Sequence, residues 1–317
     1  MSIEVVSPGL LTTVQDAGRF GHRALGVGPA GALDPYSRMI ANLLVGNPGD
    51  AAVLEITLQG PVLRFHCAAR IAICGAPVDA RVGDREIPGW RPIDLPAGTE
   101  LKLGGCRDGC RATLAVAGGI DVPLVLGSRS TDLRGGFGGV EGRALRAGDR
   151  LPLTASGVAT LLAMPSWWID PAPDLEFPVE AAFRLLPGRD AVAGGDAWMS
   201  ERFRVSPASN RQGLRLQGPS LQVEVASERI SEPVAPGTVQ LPPDGQPIVL
   251  LADAQTVGGY PRIGHVASAD LARLAQLRPG DSLHFEVIEP DAARHLACQQ
   301  RQRLARIALA IEQRLSP

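Results

Sequence analysis

Apolar residues along most of this chain recur at every second position, in short runs broken by glycine and proline. Val53-Leu-Glu-Ile-Thr-Leu58, Val62-Leu-Arg-Phe65, Arg70-Ile-Ala-Ile-Cys74, Leu101-Lys-Leu103 and Arg111-Ala-Thr-Leu-Ala-Val116 have the period of strands, as do 151–153 and 158–164. The second half continues with strands at 179–186, 213–216, 221–225 and 248–252. Such short runs joined by GP, PPDG, PGD and GG turns favour a barrel or sandwich over a doubly wound parallel sheet. The period changes to helical in few places. Residues 35–44 place Met39, Ile40, Leu43 and Leu44 on one stripe, with Asp34 as N-cap, Pro35 in the first turn and Gly46-Asn47-Pro48 as the stop. Residues 197–203 suggest a short helix, and 268–277 a further one capped by Ser268. Residues 290–315 form an amphipathic stripe of about six turns, which packs on its own chain or docks a partner.

Two phrases occur twice, in the same order. Leu58-Gln-Gly-Pro61 returns as Leu216-Gln-Gly-Pro219, and Leu145-Arg-Ala-Gly-Asp149 returns as Leu277-Arg-Pro-Gly-Asp281. Ordered echoes predict two related β-rich lobes, spanning 1–164 and 179–289, with a proline-rich linker at 165–178 and a C-terminal helix at 290–317. The interval between phrases is 87 residues in the first lobe and 61 in the second, which places roughly 26 extra residues around 118–143.

Composition narrows the function. The 317 residues are enough for two domains, and a net charge of -2 argues against a generally nucleic-acid-seeking surface. Seven Phe and two Tyr do not suggest a stacking platform for bases. No apolar run approaches the length of a membrane span, and the N-terminus does not resemble a signal peptide, so a cytoplasmic location is expected. Five cysteines do not suggest a disulfide framework. Cys106 and Cys110 form a CxxxC pair without a matching second pair, so no metal is expected.

Three loops concentrate the polar chemistry. In 128–139, Arg129 and Arg134 are suited to carboxylate or phosphate, Ser128, Ser130 and Thr131 add hydroxyls, and Gly135, Gly136, Gly138 and Gly139 free backbone donors for an anion. The plainer alternative is a structural loop whose arginines pair with its own acids. In 205–213, Asn210 and Arg211 stand just before an apolar strand. In 252–265, Asp253 and His265 are candidates to move a proton, and Gln255 and Thr256 to hold a small amide or ring. Near the N-terminus, Thr12, Thr13, Gln15, Asp16, Arg19 and His22 form a comparable polar cluster, with Asp34 beyond. No Walker A, Rossmann, HExxH or nucleophile-elbow pattern occurs. The residues alone therefore point to a small polar or anionic ligand.

These loops resemble the signatures of the biotin-dependent carboxyltransferase (allophanate hydrolase subunit 2-like) family. The matching stretches include Gly9-Leu-Leu-Thr-Thr-Val-Gln-Asp-Ala-Gly-Arg19, Gly31-Ala-Leu-Asp34, 126–139, Ser209-Asn-Arg211, Pro242-Pro-Asp-Gly-Gln-Pro247, Asp253-Ala-Gln-Thr256 with Gly258-Gly-Tyr-Pro261, and 269–281. Ala30 and Asn210 depart from the Ser and Asp common there. The resemblance implies a mainly β fold of two tandem cyclophilin-like barrel lobes with a few short helices. It also implies work beside a B-subunit homologue and an A-subunit homologue, with self-association into a homo-oligomer left open. The implied activity is ATP-dependent hydrolysis of a small lactam, 5-oxo-L-proline to L-glutamate, with ATP held here or by a partner. Under this reading Arg129, Arg134, Arg211 and the glycine loop bind phosphate or carboxylate, Gln255 and Tyr260 orient the ring, and Asp253 or His265 manages a proton. The alternatives are carboxyl transfer from carboxybiotin to urea or another small amide, and a non-catalytic regulatory role in binding an inhibitor that resembles the B-subunit homologue. No Met-Lys-Met-like segment suggests covalently bound biotin.

Overall fold

The computed structural model describes residues 1–154, 163–171, 180–224 and 230–315. The chain divides into two compact units. The first comprises Met1–Arg19, Ala30–Glu176 and Arg303–Pro317, and the second Phe20–Pro29 and Phe177–Gln302. The short segment 20–29 therefore groups with residues far from it in sequence.

In the first unit, alternating runs form β1 (Ser2–Ser7), β2 (Leu11–Gln15), β3 (Val53–Thr57), β4 (Val62–Phe65), β5 (Ala69–Gly75), β6 (Val78–Val82), β7 (Arg85–Glu86), β8 (Ile93–Leu95), β9 (Glu100–Cys106), β10 (Arg111–Val116) and β11 (Arg150–Pro152). One sheet has the order β11-β1-β4-β9-β6-β7, the other β2-β3-β10-β5-β8. Ile3, Leu63 and Leu101 from the first sheet and Leu54, Ile71 and Leu114 from the second share one buried core. Helix α1 (Pro35–Leu44) begins as expected: Asp34 accepts the Ser37 N–H at 2.9 Å and the Ser37 hydroxyl at 2.6 Å, and Pro35 opens the helix.

The second unit holds β12 (Glu180–Pro187), β13 (Phe203–Val205), β14 (Gly213–Gln217), β15 (Glu232–Pro233), β16 (Thr238–Gln240), β17 (Ile248–Leu250), β18 (Val257–Gly258), β19 (Arg262–Val266) and β20 (Ser282–Val287). Seven of these close a barrel in the order β12-β19-β16-β17-β14-β13-β20, and β15 pairs with β18 as a separate two-stranded ribbon. The fold is mostly β with a closed barrel, as expected. Helix α2 (Leu271–Leu274) is short, and α3 (Pro290–Leu315) runs for 26 residues with Ile311 its one fully buried residue. No helix among the described residues is long and apolar enough to cross a membrane.

Several local expectations need correction. Residues 197–203 are not a helix throughout: a 3-10 turn spans Gly195–Ser200, and Phe203 is drawn into β13, where it is fully buried. Ser268 is not a cap. Ala267 precedes a 3-10 turn over Ser268–Asp270, and the buried Asp270 carboxylate takes the Arg184 N–H and guanidinium instead. Residues 221–224 make only an isolated bridge, Val192 to Val223. Residues 158–162 of one expected strand, 172–178 of the expected linker and Val225 lie outside the described residues.

The two echoes have different fates. At Leu145-Arg-Ala-Gly-Asp149, the Asp149 carboxylate accepts the Arg146 N–H at 2.7 Å, Gly148 N–H donates to the Val5 carbonyl and Val5 N–H donates to the Asp149 carbonyl. At Leu277-Arg-Pro-Gly-Asp281, Asp281 accepts the Arg278 N–H at 2.7 Å, and Gly280 and Val205 make the same backbone bonds to Val205 and Asp281. This makes Val205 the counterpart of Val5. Val5 pairs with Leu63, and Val205 pairs with Leu216. Leu216 therefore corresponds to Leu63, not to Leu58, and the Leu-Gln-Gly-Pro copies are out of register by five residues. From Leu63 to Leu145 is 82 residues against 61 from Leu216 to Leu277, so the surplus in the first unit is 21. Gly148 and Gly280 have φ of 88° and 96°. Gly148→Ala and Gly280→Ala should each cost about 1–2 kcal/mol, because both occupy the left-handed region in the same turn. Urea denaturation of each variant checks this, and unequal losses would argue against equivalence.

Candidate functional site

In the first unit the expected anion cradle already holds an anion, the chain's own Asp16. Asp16 is 8% exposed and follows the end of β2. Its Oδ1 accepts the Ser128 and Ser130 hydroxyls, each at 2.6 Å, and the Gly18 N–H at 2.8 Å, while Oδ2 accepts the Arg129 N–H at 2.5 Å. Burial acts to raise this carboxyl's pKa. The two hydroxyls and two N–H groups outweigh it and hold the group below its ordinary value.

The remaining donors of the 128–139 loop are largely committed to the loop and its neighbours. Arg129 Nε donates to the Val122 carbonyl at 3.0 Å, and its terminal nitrogen lies 3.3 Å from Asp121. Gly135 N–H goes to the Asp132 carboxylate, Gly136 N–H to the Asp132 carbonyl and Gly139 N–H to the Arg129 carbonyl. A Cβ on Gly138 would stand 2.2 Å from the Ser130 carbonyl oxygen, and one on Gly139 would stand 2.0 Å from Thr131 Oγ1. Close packing therefore demands these two glycines. Arg19, 1% exposed, donates to the Ser130 carbonyl at 2.7 Å and stacks 4.7 Å above the Phe137 ring. Gln15 donates to Thr13 and to the Thr131 carbonyl. Asp34 is the helix cap described above. Arg134 alone of the loop's charged groups is exposed, and its backbone N–H donates to the Asp132 carboxylate at 3.1 Å. The expected phosphate cradle is thus a structural loop wrapped on Asp16.

The polar residues of the second unit separate into two groups. Arg211 and Asp253, expected as an anion anchor and a proton carrier, bind each other. Arg211 Nε meets Asp253 Oδ2 at 2.8 Å and its terminal nitrogen meets Oδ1 at 3.0 Å, with the side chains 3% and 2% exposed. The pair ties the 205–213 loop to the exit of β17. Asn210 closes a turn by accepting the Gln212 N–H at 2.8 Å.

The other group lies on the outer face of the barrel. Thr238 and Gln240 flank the core residue Val239 on β16, so their side chains leave the face that Val239 fills. His265 is the cross-strand partner of Thr238, and its Nδ1 lies 3.3 Å from Thr238 Oγ1. Burial holds this imidazole below its ordinary pKa, so it is neutral at pH 7. Gln255 Nε2 donates to Gln240 Oε1 at 3.3 Å. Thr256 is buried and its carbonyl accepts the Val234 N–H, whereas Tyr260 is 47% exposed. The structure thus gathers Gln255 and His265 with Thr238 and Gln240, which the sequence did not single out. Their only sequence signal is two polar residues either side of an apolar one, just before Leu241-Pro-Pro243.

A family model, the carboxyltransferase domain, subdomains A and B, matches residues 25–287. The chain belongs to this carboxyltransferase family. The 5-oxoprolinase C subunit of Escherichia coli (strain K12) is 43% identical over 296 residues, covering 89% of this chain and 90% of that protein. Its namesake in Haemophilus influenzae is 35% identical, covering 93% and 94%. Among solved structures, K. lactis urea amidolyase superimposes with a TM-score of 0.86 at 33% identity, over 96% of this chain and 20% of that one. For this carboxyltransferase-family chain, the buried Cys110 and half-buried Cys106 are free thiols, and no cluster of three metal-ligating side chains occurs among the described residues.

Asp253→Ala should destabilise the protein by about 3–5 kcal/mol, because Arg211 is left charged and buried. The paired replacement Arg211→Met with Asp253→Leu should cost less than the single change, as read by denaturant unfolding. For His265, the unfolded chain binds a proton near the ordinary pKa of about 6.5 and the folded chain only at lower pH, so stability falls on acidification through that window. Thermal melts of His265→Gln between about pH 7 and pH 5 should show a shallower fall than the parent.

Proposed function

We propose that this chain is part of an ATP-dependent enzyme complex that opens the lactam of 5-oxo-L-proline to L-glutamate. The observation that carries this reading is two-way coverage. The chain matches 90% of the E. coli 5-oxoprolinase C subunit at 43% identity, but only 20% of K. lactis urea amidolyase. Opening the ring adds water across its C–N bond: the oxygen goes to the carbonyl carbon and a proton to the nitrogen. Amide resonance makes that step slow, which is the chemical reason for coupling it to ATP hydrolysis to ADP and phosphate. The 128–139 loop does not fit nucleotide phosphate, because its donors serve Asp16 and its own backbone. The nucleotide is therefore assigned to a partner, the A-subunit or B-subunit homologue. This chain contributes the barrel face, where Gln255 and Tyr260 orient the amide and neutral His265 accepts a proton from water.

The likeness to urea amidolyase favours a second reading, carboxyl transfer to urea or a related amide, with biotin arriving on another protein. One experiment separates them. The chain is co-purified with its A-subunit and B-subunit homologues, and L-glutamate is measured from 5-oxo-L-proline with and without ATP. ATP-dependent glutamate is expected, and His265→Ala should lower kcat by about 100-fold with assembly intact. An assembled, folded complex that forms no glutamate but carboxylates urea from carboxybiotin would replace the first reading with the second.

A further inference from the structure

The barrel closes unevenly along β20. On one side β20 runs parallel to β12 through six residue pairs, from Glu180 with Ser282 to Leu185 with Val287. On the other side it meets β13 through two, Phe203 with Leu283 and Arg204 with Ser282. The shorter ladder has a local cause. Its next hydrogen-bonded pair would join Phe285 to Glu201, two residues further along each strand. The Glu201 N–H goes instead to the Trp198 carbonyl, because the chain there belongs to the 3-10 turn Gly195–Ser200. Trp198 lays its ring against Phe285, with centroids 5.7 Å apart, and so holds the turn beside the strand.

The direction of the backbone groups follows from the β12 side. Ile288 N–H donates to the Leu185 carbonyl at 3.0 Å, so the even-numbered residues of this stretch serve β12. Phe285 and Val287 direct their N–H and C=O the other way, and no hydrogen bond reaches them there from the described residues. A cleft of about 520 Å³ lies on that side, within the range of about 300–1,000 Å³ usual for ligand sites. Residues 284–287 line it together with Asp196, Met199, Ser200 and Arg202. Two features select the occupant. Donors and acceptors spaced along a strand edge match an extended backbone, which presents its own C=O and N–H groups at the same interval. Charge selects a side chain. Asp196 and Glu286 bring carboxylates to the cleft, whereas Arg202 is already engaged within the chain and His284 Nε2 stands 3.8 Å from Glu286. A Lys or Arg on the incoming segment is the complement. We propose that β20 takes an extended, cationic segment of a partner subunit as an added strand, joined to Phe285 and Val287 by main-chain hydrogen bonds. This rests on the reading of the chain as one member of an enzyme complex.

The test combines residue-resolved hydrogen exchange with assembly of the full chain on the A-subunit and B-subunit homologues, singly and together. In the chain alone, the amides of Phe285 and Val287 should exchange faster than that of Ile288. On assembly they should slow by about tenfold or more. Val287→Pro deletes a donor that the isolated chain does not use, so it should melt with the parent but assemble about tenfold more weakly. Val287→Thr keeps both the N–H and the β-branched shape and should assemble as the parent does. Asp196→Lys should weaken assembly by about tenfold at low salt and by less at high salt. Edge amides no slower to exchange after assembly, parent affinity in Val287→Pro, or equal weakening in Val287→Pro and Val287→Thr would overturn the proposal. So would a Val287→Pro chain that melts well below the parent, since its N–H would then be bonded internally, or a folded parent that assembles with neither homologue. A complex that turns over 5-oxo-L-proline with both amides unprotected sinks the added strand alone. A complex without turnover in which both amides are protected sinks the proposed reaction alone.

Discussion

The Asp16 carboxylate organises the least regular part of the first unit. The 128–139 segment has isolated bridges and turns in place of strands, so nothing in a sheet ladder holds it. It is held by donors converging on one buried anion, two hydroxyls and the Arg129 N–H, with Gly18 N–H from Asp16's own side. A buried carboxylate needs such company, because each oxygen loses its water. Arg19 then covers the Ser130 carbonyl, and Gly138 and Gly139 fit against Ser130 and Thr131 with no space for a Cβ. A cluster of Ser, Arg and Gly that suits a phosphate suits a side-chain carboxylate equally well.

The same internal pairing of charge operates in the second unit. Arg211 and Asp253 neutralise one another below the surface, and Arg184 does the same for Asp270. These pairs take Arg211, Asp253, Arg184 and Asp270 out of the candidate chemistry and leave two amides, a hydroxyl and an imidazole kept uncharged by burial, beside the Arg262–Glu232 ion pair.

The repeated phrases separate demand from coincidence. Leu-Arg-x-Gly-Asp recurs because the turn needs each part: an acid to accept the N–H three residues earlier, a glycine at positive φ, and a strand to follow. Leu-Gln-Gly-Pro has no common task. In its first copy it turns the chain before β4, where a Cβ on Gly60 would lie 2.6 Å from Leu103 Cβ, and in its second Leu216 and Gln217 are themselves part of β14. Register, visible only through strand partners, decides between them.

By itself the sequence determined the mainly β character, the capped helix α1, the long terminal helix and the family signatures. Alternation, capping and turn chemistry are local, and each is legible within a few residues. It also pointed to the loops in which the polar chemistry is concentrated. Only the tertiary structure decided how those groups are used. Asp16 meets Ser128 and Ser130 across more than a hundred residues, and Arg211 meets Asp253 across a strand pair. Gln240 is buried to 1% exposure against Gly258, where a Cβ would lie 2.6 Å from its amide nitrogen. An ionisable or amide side chain carries the same letters whether it is committed to a neighbour or left for a ligand. The difference is a matter of distance in space, which sequence separation does not contain.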